Sequence, residues 1–208
     1  MNRCKIEQEI KERWFKNHVA QFERLNDRVS TLTWRAPNSS FYYVRYIFDG
    51  SKLYVSGDMG EAVFCLTEKT DINTIKDYNI HYFHSKMTAF CGGKYSFDSD
   101  EAIERLKEEI EEANENRDID EDGVQEETEK NNHINSYISV INMLIKESKS
   151  CINKSGWEYE ISQVYDELTD YDPDCSEWIF KAGDVIPNRV YGYLIGIKMS
   201  FEQLKEVL

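Results

Sequence analysis

Two runs rich in β-branched and aromatic residues, Phe41–Phe48 and Lys52–Ser56, flank the dipeptide Asp49-Gly50. A two-residue hairpin turn needs positive φ, which glycine supplies without steric cost, so this pattern ties the two runs together as antiparallel strands. Ser30–Trp34 and Ala62–Thr67 have the same character. Pro37-Asn38-Ser39-Ser40 and Gly57-Asp58-Met59-Gly60 separate them from the hairpin. The spacing predicts a small antiparallel meander of three to four strands.

Outside this block the period becomes helical. Residues 2–26 repeat Ile6, Ile10, Trp14, Phe15, Val19, Phe22 and Leu25 near helical spacing and predict one amphipathic helix. Asp71 is placed to cap a short helix through Lys76, and Ile80–Phe90 predicts a second, ending near Gly92-Gly93. Asp98–Asn116 carries a narrow apolar stripe of Ile103, Leu106, Ile110 and Ala113. Asn132–Ser148 and Ser155–Tyr171 are amphipathic. Pro187 opens a helix to Met199 in which Gly192 and Gly196 make a small face for close approach, and Ser200 with Gln203 predicts a cap for a last short helix. The fold class is therefore α+β: a small antiparallel meander packed with several amphipathic helices. Residues 1–97 group as N-terminal helix, sheet and short helices. Residues 98–130 form an acidic helix and loop, and residues 131–208 a helical C-terminal part of the same compact unit.

Charge is concentrated. Residues 98–130 hold 16 acids against four bases, whereas the first 60 residues hold 10 bases against seven acids, in a chain of net charge −14. Such a field disfavours direct nucleic-acid binding and favours a partner with a basic surface. The five cysteines are widely spaced and form no C-x-x-C, the N-terminus is charged, and no apolar run approaches the roughly 20 residues that span a bilayer. These features predict a reducing cytoplasm and no membrane contact.

The sharpest chemical pattern lies in the acidic break. Asp118, Asp120, Asp122, Gly123 and Glu129 fit the D-x-D-x-D-G-x5-E spacing of a calcium loop, in which oxygens at positions one, three, five and twelve surround Ca²⁺. Position eight is Gln125, where an apolar residue normally joins a second loop. The composition favours a solvated acidic loop, with calcium as the alternative. His81 and His84, three apart, offer a second metal arrangement with Cys65, Cys91 or Asp58, against a packing role. Asp58 and Glu61 place two carboxylates on one loop, which is also what a tight turn requires. The chain has no G-x-S-x-G and no Gly-rich phosphate loop, so no catalytic residue is assigned.

The runs Phe41-Tyr42-Tyr43-Val44-Arg45-Tyr46-Ile47-Phe48-Asp49-Gly50 and Leu53-Tyr54-Val55-Ser56-Gly57-Asp58-Met59-Gly60-Glu61-Ala62-Val63-Phe64 resemble uncharacterised proteins of phages and prophages of Gram-positive bacteria, as does Pro187–Met199. The resemblance covers about a quarter of the chain. It implies a mobile-element setting in a host cytoplasm, where small acidic proteins often inhibit defence systems, anti-CRISPR proteins among them. The expected function is thus a non-enzymatic acidic protein that occupies a basic nucleic-acid-binding groove of a host protein, such as a CRISPR effector. Glu104, Glu108, Glu109, Glu111, Glu112 and Glu115 are the expected contact residues. A metal-dependent enzyme or a calcium-responsive regulator is the alternative.

Overall fold

The computed structural model describes residues 3–118 and 128–206. The chain divides into two compact units, residues 2–94 with 186–208 and residues 95–185. The boundary expected at 97/98 falls near this junction, and the C-terminal helix belongs to the unit that holds the sheet.

The sheet unit has six strands: β1 Val19–Arg24, β2 Val29–Arg35, β3 Val44–Asp49, β4 Lys52–Gly57, β5 Ala62–Cys65 and β6 Met87–Phe90. Each lies antiparallel to the next in sequence order. Asp49 pairs with Lys52, so the hairpin forms as the dipeptide predicts but its two-residue turn is Gly50-Ser51, with Gly50 at φ 60°. Alternation sets the faces: Val44, Tyr46 and Phe48 of β3 are buried, and Arg45 between them is exposed. Register aligns Leu32, Tyr46 and Val55 in one row and Phe48, Leu53 and Phe64 in the next. Burying each such large side chain stabilises the fold by roughly 1.5–3 kcal/mol.

The same core takes residues from α1 (Arg3–Glu9), a π-helical turn (Ile10–Trp14), α2 (Ile72–Ile75), α3 (Ile80–Ser85) and, far along the chain, from Asn188–Leu204. That last helix is held closely. The Tyr46 hydroxyl donates to the Tyr193 carbonyl at 2.9 Å, and a Cβ on Gly196 would lie 2.4 Å from the same hydroxyl oxygen. The small face read from Gly192 and Gly196 is thus a packing surface.

Five expectations change. The helix over 2–26 stops at Trp14, and Val19–Arg24 is a strand. Val19 and Phe22 sit at helical spacing, but pairing with β2 leaves Val19 exposed and half-buries Ala20 and Phe22, so the ladder overrides the pattern. The sheet has six strands, not three to four, because β1 and β6 were both hidden in expected helices. The Ile80–Phe90 helix ends at Ser85, after which Met87 and Phe90 pair with Phe64 and Ala62. A short apolar run does not distinguish strand from buried helix. The expected last short helix is continuous with its predecessor: Ser200 is fully buried, and the Gln203 side chain instead bonds the backbone of His18 and Ala20. Finally, residues 155–171 form two helices, broken at Val164.

The helical unit contains β7 (Ser96–Phe97), α4 (Ser99–Glu115), α5 (Glu129–Ser148), α6 (Lys154–Gln163), α7 (Tyr165–Tyr171) and β8 (Asp184–Val185), which pairs with β7. The terminal helix Asn188–Leu204 becomes α8. Asp98, Thr128 and Asn153 cap α4, α5 and α6 through side-chain acceptors, each worth about 1 kcal/mol. Its core gathers Leu106, Ile134, Tyr137, Ile141, Leu144 and Trp157.

Two glycines separate close approach from spare room. Gly196→Ala is expected to destabilise the chain by about 1–3 kcal/mol, because the buried Tyr46 hydroxyl cannot retreat. Gly156→Ala in α6, where the nearest atom to a new Cβ is at 3.7 Å, is expected to stabilise by up to about 1 kcal/mol. Urea denaturation of both variants checks this contrast.

Candidate functional site: the acidic face of the helical unit

The charge asymmetry seen in the sequence coincides with the two units. Residues 95–185 carry 26 acids and eight bases, a net −18; the remainder of the chain carries 13 acids and 17 bases, a net +4. Within the acidic unit, α4 is the densest element.

α4 forms because Asp98 accepts the N–H groups of Asp100 and Glu101, and because acids in the first turn suit the positive end of the helix dipole. Its inward face is Ala102, Leu106, Glu109 and Ala113. On the opposite face Glu104, Glu108, Glu111 and Glu115 recur at spacings of four, three and four, which aligns them in one stripe. Seven of the eight carboxylates between Asp100 and Glu115 are exposed. They occupy about 22 Å of helix, or roughly one per 3 Å, close to the roughly 3.4 Å of axis per phosphate in one nucleic-acid strand. Arg105 and Lys107 offset part of that charge. The Arg105 guanidinium lies 3.4 Å from Glu108, 3.1 Å from Glu109 and 3.5 Å from Glu112, and 4.9 Å above the Trp178 ring. Among the described residues, no ion pair engages Glu104, Glu111 or Glu115. Asp166, Glu167 and Asp170 on α7 add three further exposed carboxylates to the unit.

Glu109, one of the six expected contact residues, is 8% exposed and points inward. It accepts the Tyr137 hydroxyl at 2.9 Å and the Arg105 guanidinium at 3.1 Å. Burial raises its carboxyl above the ordinary range, and these two hydrogen bonds oppose the rise. Beside it, Tyr137 stacks on Tyr171 at 4.0 Å, and the Trp178 indole donates to Asp172 at 2.9 Å. The Arg105–Glu109 pair is legible in the sequence as an i,i+4 spacing. The partners from α5 and from the turn at Trp178 have no local signal, because they meet only through tertiary packing.

Of the calcium template, Asp120 and Asp122 lie outside the described residues. Asp118 accepts the Lys130 ammonium at 2.8 Å and the Thr128 hydroxyl at 3.3 Å, and the Lys130 bond lowers its carboxyl below the ordinary range. Asp118 is thus engaged by an internal cation, and of the remaining template residues only Glu129 lies among the described residues. Asn131, 3% exposed, pairs with both backbone groups of Asp118 and so joins the C-terminal side of α4 to the start of α5, where Glu129 is the first residue. His81 is exposed, whereas His84 is buried with Nε2 3.0 Å from the Lys94 carbonyl oxygen. Asp58 accepts the Tyr42 N–H at 2.8 Å, and Cys65 and Cys91 are exposed. Among the described residues no three His, Cys, Asp or Glu side chains converge as metal ligands, and no helix is long and apolar enough to cross a membrane.

Comparison with protein-family models, with curated proteins and with solved structures finds no match. The site therefore rests on its own geometry.

Because the native state binds the Glu109 proton more tightly than an unfolded chain does, this group contributes stability that falls as pH rises from about 4.5 through its folded pKa. Glu109→Gln is expected to remove that slope and to change stability at pH 7 by less than about 1 kcal/mol. Glu109→Ala is expected to cost about 1–3 kcal/mol by leaving the Tyr137 hydroxyl unpaired. Urea denaturation at pH 5 and pH 7 distinguishes the two variants.

Proposed function

We propose that this chain is a non-enzymatic binding protein whose helical unit presents carboxylates to the basic, nucleic-acid-binding groove of a partner protein. The observation that carries the proposal is the exposed stripe Glu104, Glu108, Glu111 and Glu115 on a unit of net charge −18. The seven exposed carboxylates of the helix together approach the charge density of a strand without its bases, and the four of the stripe stand about 5 Å apart along the axis. Glu112 joins the stripe at its edge; Glu109 supports the helix from inside. In the phage and prophage setting implied by the sequence resemblance, the partner is a host defence protein such as a CRISPR effector, and occupancy of its groove inhibits it by excluding nucleic acid.

Such binding has a definite signature. Exposed charges interact over a Debye length of about 8 Å at physiological salt, so added salt weakens the complex. Long-range attraction acts mainly on association, whereas contact packing sets dissociation.

A pull-down from host extract at about 50 mM salt is expected to recover a basic partner that is released at about 500 mM and displaced by single-stranded or duplex nucleic acid. A partner that resists both salt and nucleic acid would contradict the proposal.

A further inference from the structure

Tyr42 has φ 55°, a conformation that bulky L-residues avoid and that persists only where neighbours impose it. Three groups impose it here. Its N–H donates to Asp58 Oδ2 at 2.8 Å, its carbonyl accepts from His18 Nε2 at 3.2 Å, and its ring stacks on Trp14 at 4.7 Å with the planes 4° apart. The Asp58 side is built into the sheet: the Asp58 N–H donates to the Tyr43 carbonyl at 2.9 Å. Gly57, at φ 135°, leaves room for that carbonyl, which a Cβ would approach to 2.2 Å. The preceding residue, Phe41, is held 75% exposed.

The His18 contact is sensitive to proton binding through burial: the Nε2–H bond itself survives protonation, but the buried ring is penalised for carrying charge. A carbonyl oxygen only accepts, so Nε2 carries the proton in this arrangement and Nδ1 is bare. The residue is 5% exposed, its ring lies 4.9 Å from Phe15 and 5.5 Å from Trp34, and Nδ1 has no hydrogen-bond partner among the described residues. Protonation would force a second N–H and a positive charge against this aromatic wall. The backbone of His18 is fixed separately by the neutral Gln203 side chain of α8. We propose that His18 is the pin of a pH-sensitive latch, holding the Phe41–Tyr43 loop in its strained conformation while the imidazole is neutral and releasing it on protonation.

The electrostatic surroundings agree. Burial lowers the His18 pKa from 6.5, and the Tyr42 carbonyl opposes this; no charged side chain contributes. Arg13 and Lys16 near the π-helical turn, Arg35 at the end of β2, and Glu202 and Lys205 on and after the last turn of α8 are all exposed, and Asp58 acts on the far side of the Tyr42 amide. The sign follows from the lowered value. The open loop binds the proton more tightly than the latched one, so the latch holds fully above about pH 6.5 and weakens as pH falls below it. At pH 5 the closed state is disfavoured by up to about thirty-fold, the limit set by 1.5 pH units of unopposed titration.

The test is nuclear magnetic resonance on the full labelled chain between pH 4 and 8. The latch predicts three results. His18 ring nitrogens should report the Nε2–H tautomer at neutral pH and titrate below 6.5. The Trp14 and Tyr42 resonances should shift with the same midpoint. Protection of the Tyr42 amide from hydrogen exchange should drop several-fold to about thirty-fold by pH 5. In His18→Gln, whose amide N–H replaces the Nε2 donor without titrating, that loss should disappear. Titration of His18 at its ordinary value, a Tyr42 transition that persists unchanged in His18→Gln, or pH-independent Tyr42 protection would each overturn the proposal. Should His18→Gln fail to fold, the wild-type titration alone decides.

Discussion

Carboxylates are costly to remove from water, and that cost organises the helical unit. α4 can place Leu106 and two alanines inward only by turning seven of its eight acids toward solvent between Asp100 and Glu115. The eighth, Glu109, falls on the buried face by periodicity and is tolerated because Tyr137 and Arg105 both donate to it. Arg105 is in turn steadied by the Trp178 ring. One satisfied buried acid thus fixes the rotation of α4 against α5. That rotation is what aligns Glu104, Glu108, Glu111 and Glu115 as an outward stripe. Core packing and the proposed docking face are two sides of one helix.

The sheet unit is held by different forces. Its core is aromatic and apolar, and α8 is seated by the missing side chain at Gly196 and the Tyr46 hydroxyl. Against that rigid frame the strained Tyr42 is an exception with identifiable supports, Asp58 and His18 among them. The Gly57-Asp58 pair therefore has a structural role in shaping the neighbouring loop. The two units differ as sharply in charge as in construction, +4 against −18, which gives the chain a strong electrical polarity along its sequence.

What was legible in the sequence follows from how local each signal is. The Asp49-Gly50 hairpin, the Asp71 cap and the small face of Gly192 and Gly196 depend on neighbouring residues, and all appear in the structure. β1 and β6 did not announce themselves, since each shares its apolar spacing with a helix and becomes a strand only by pairing with a neighbour. At the site, six glutamates of α4 are expected as contacts, and the structure sorts them into the exposed Glu104, Glu108, Glu111, Glu112 and Glu115 and the buried Glu109. The inward turn of Glu109 follows from helical spacing once Leu106 and Ala113 are taken as the buried face, but the abundance of acids obscured it. The Tyr137 and Trp178 partners, brought in from 28 and 73 residues away in sequence, had no signal to read.

The central claim is that the exposed acidic stripe acts as an electrostatic substitute for a nucleic-acid strand. The most direct measurement is the association rate constant with the basic partner as a function of ionic strength. It should be taken for the natural chain and for one carrying Glu104→Gln, Glu108→Gln, Glu111→Gln and Glu115→Gln. The account predicts a steep fall with salt for the natural chain, a slower and flatter dependence for the variant, and similar dissociation rates for both. Equal association rates and equal salt slopes would contradict it.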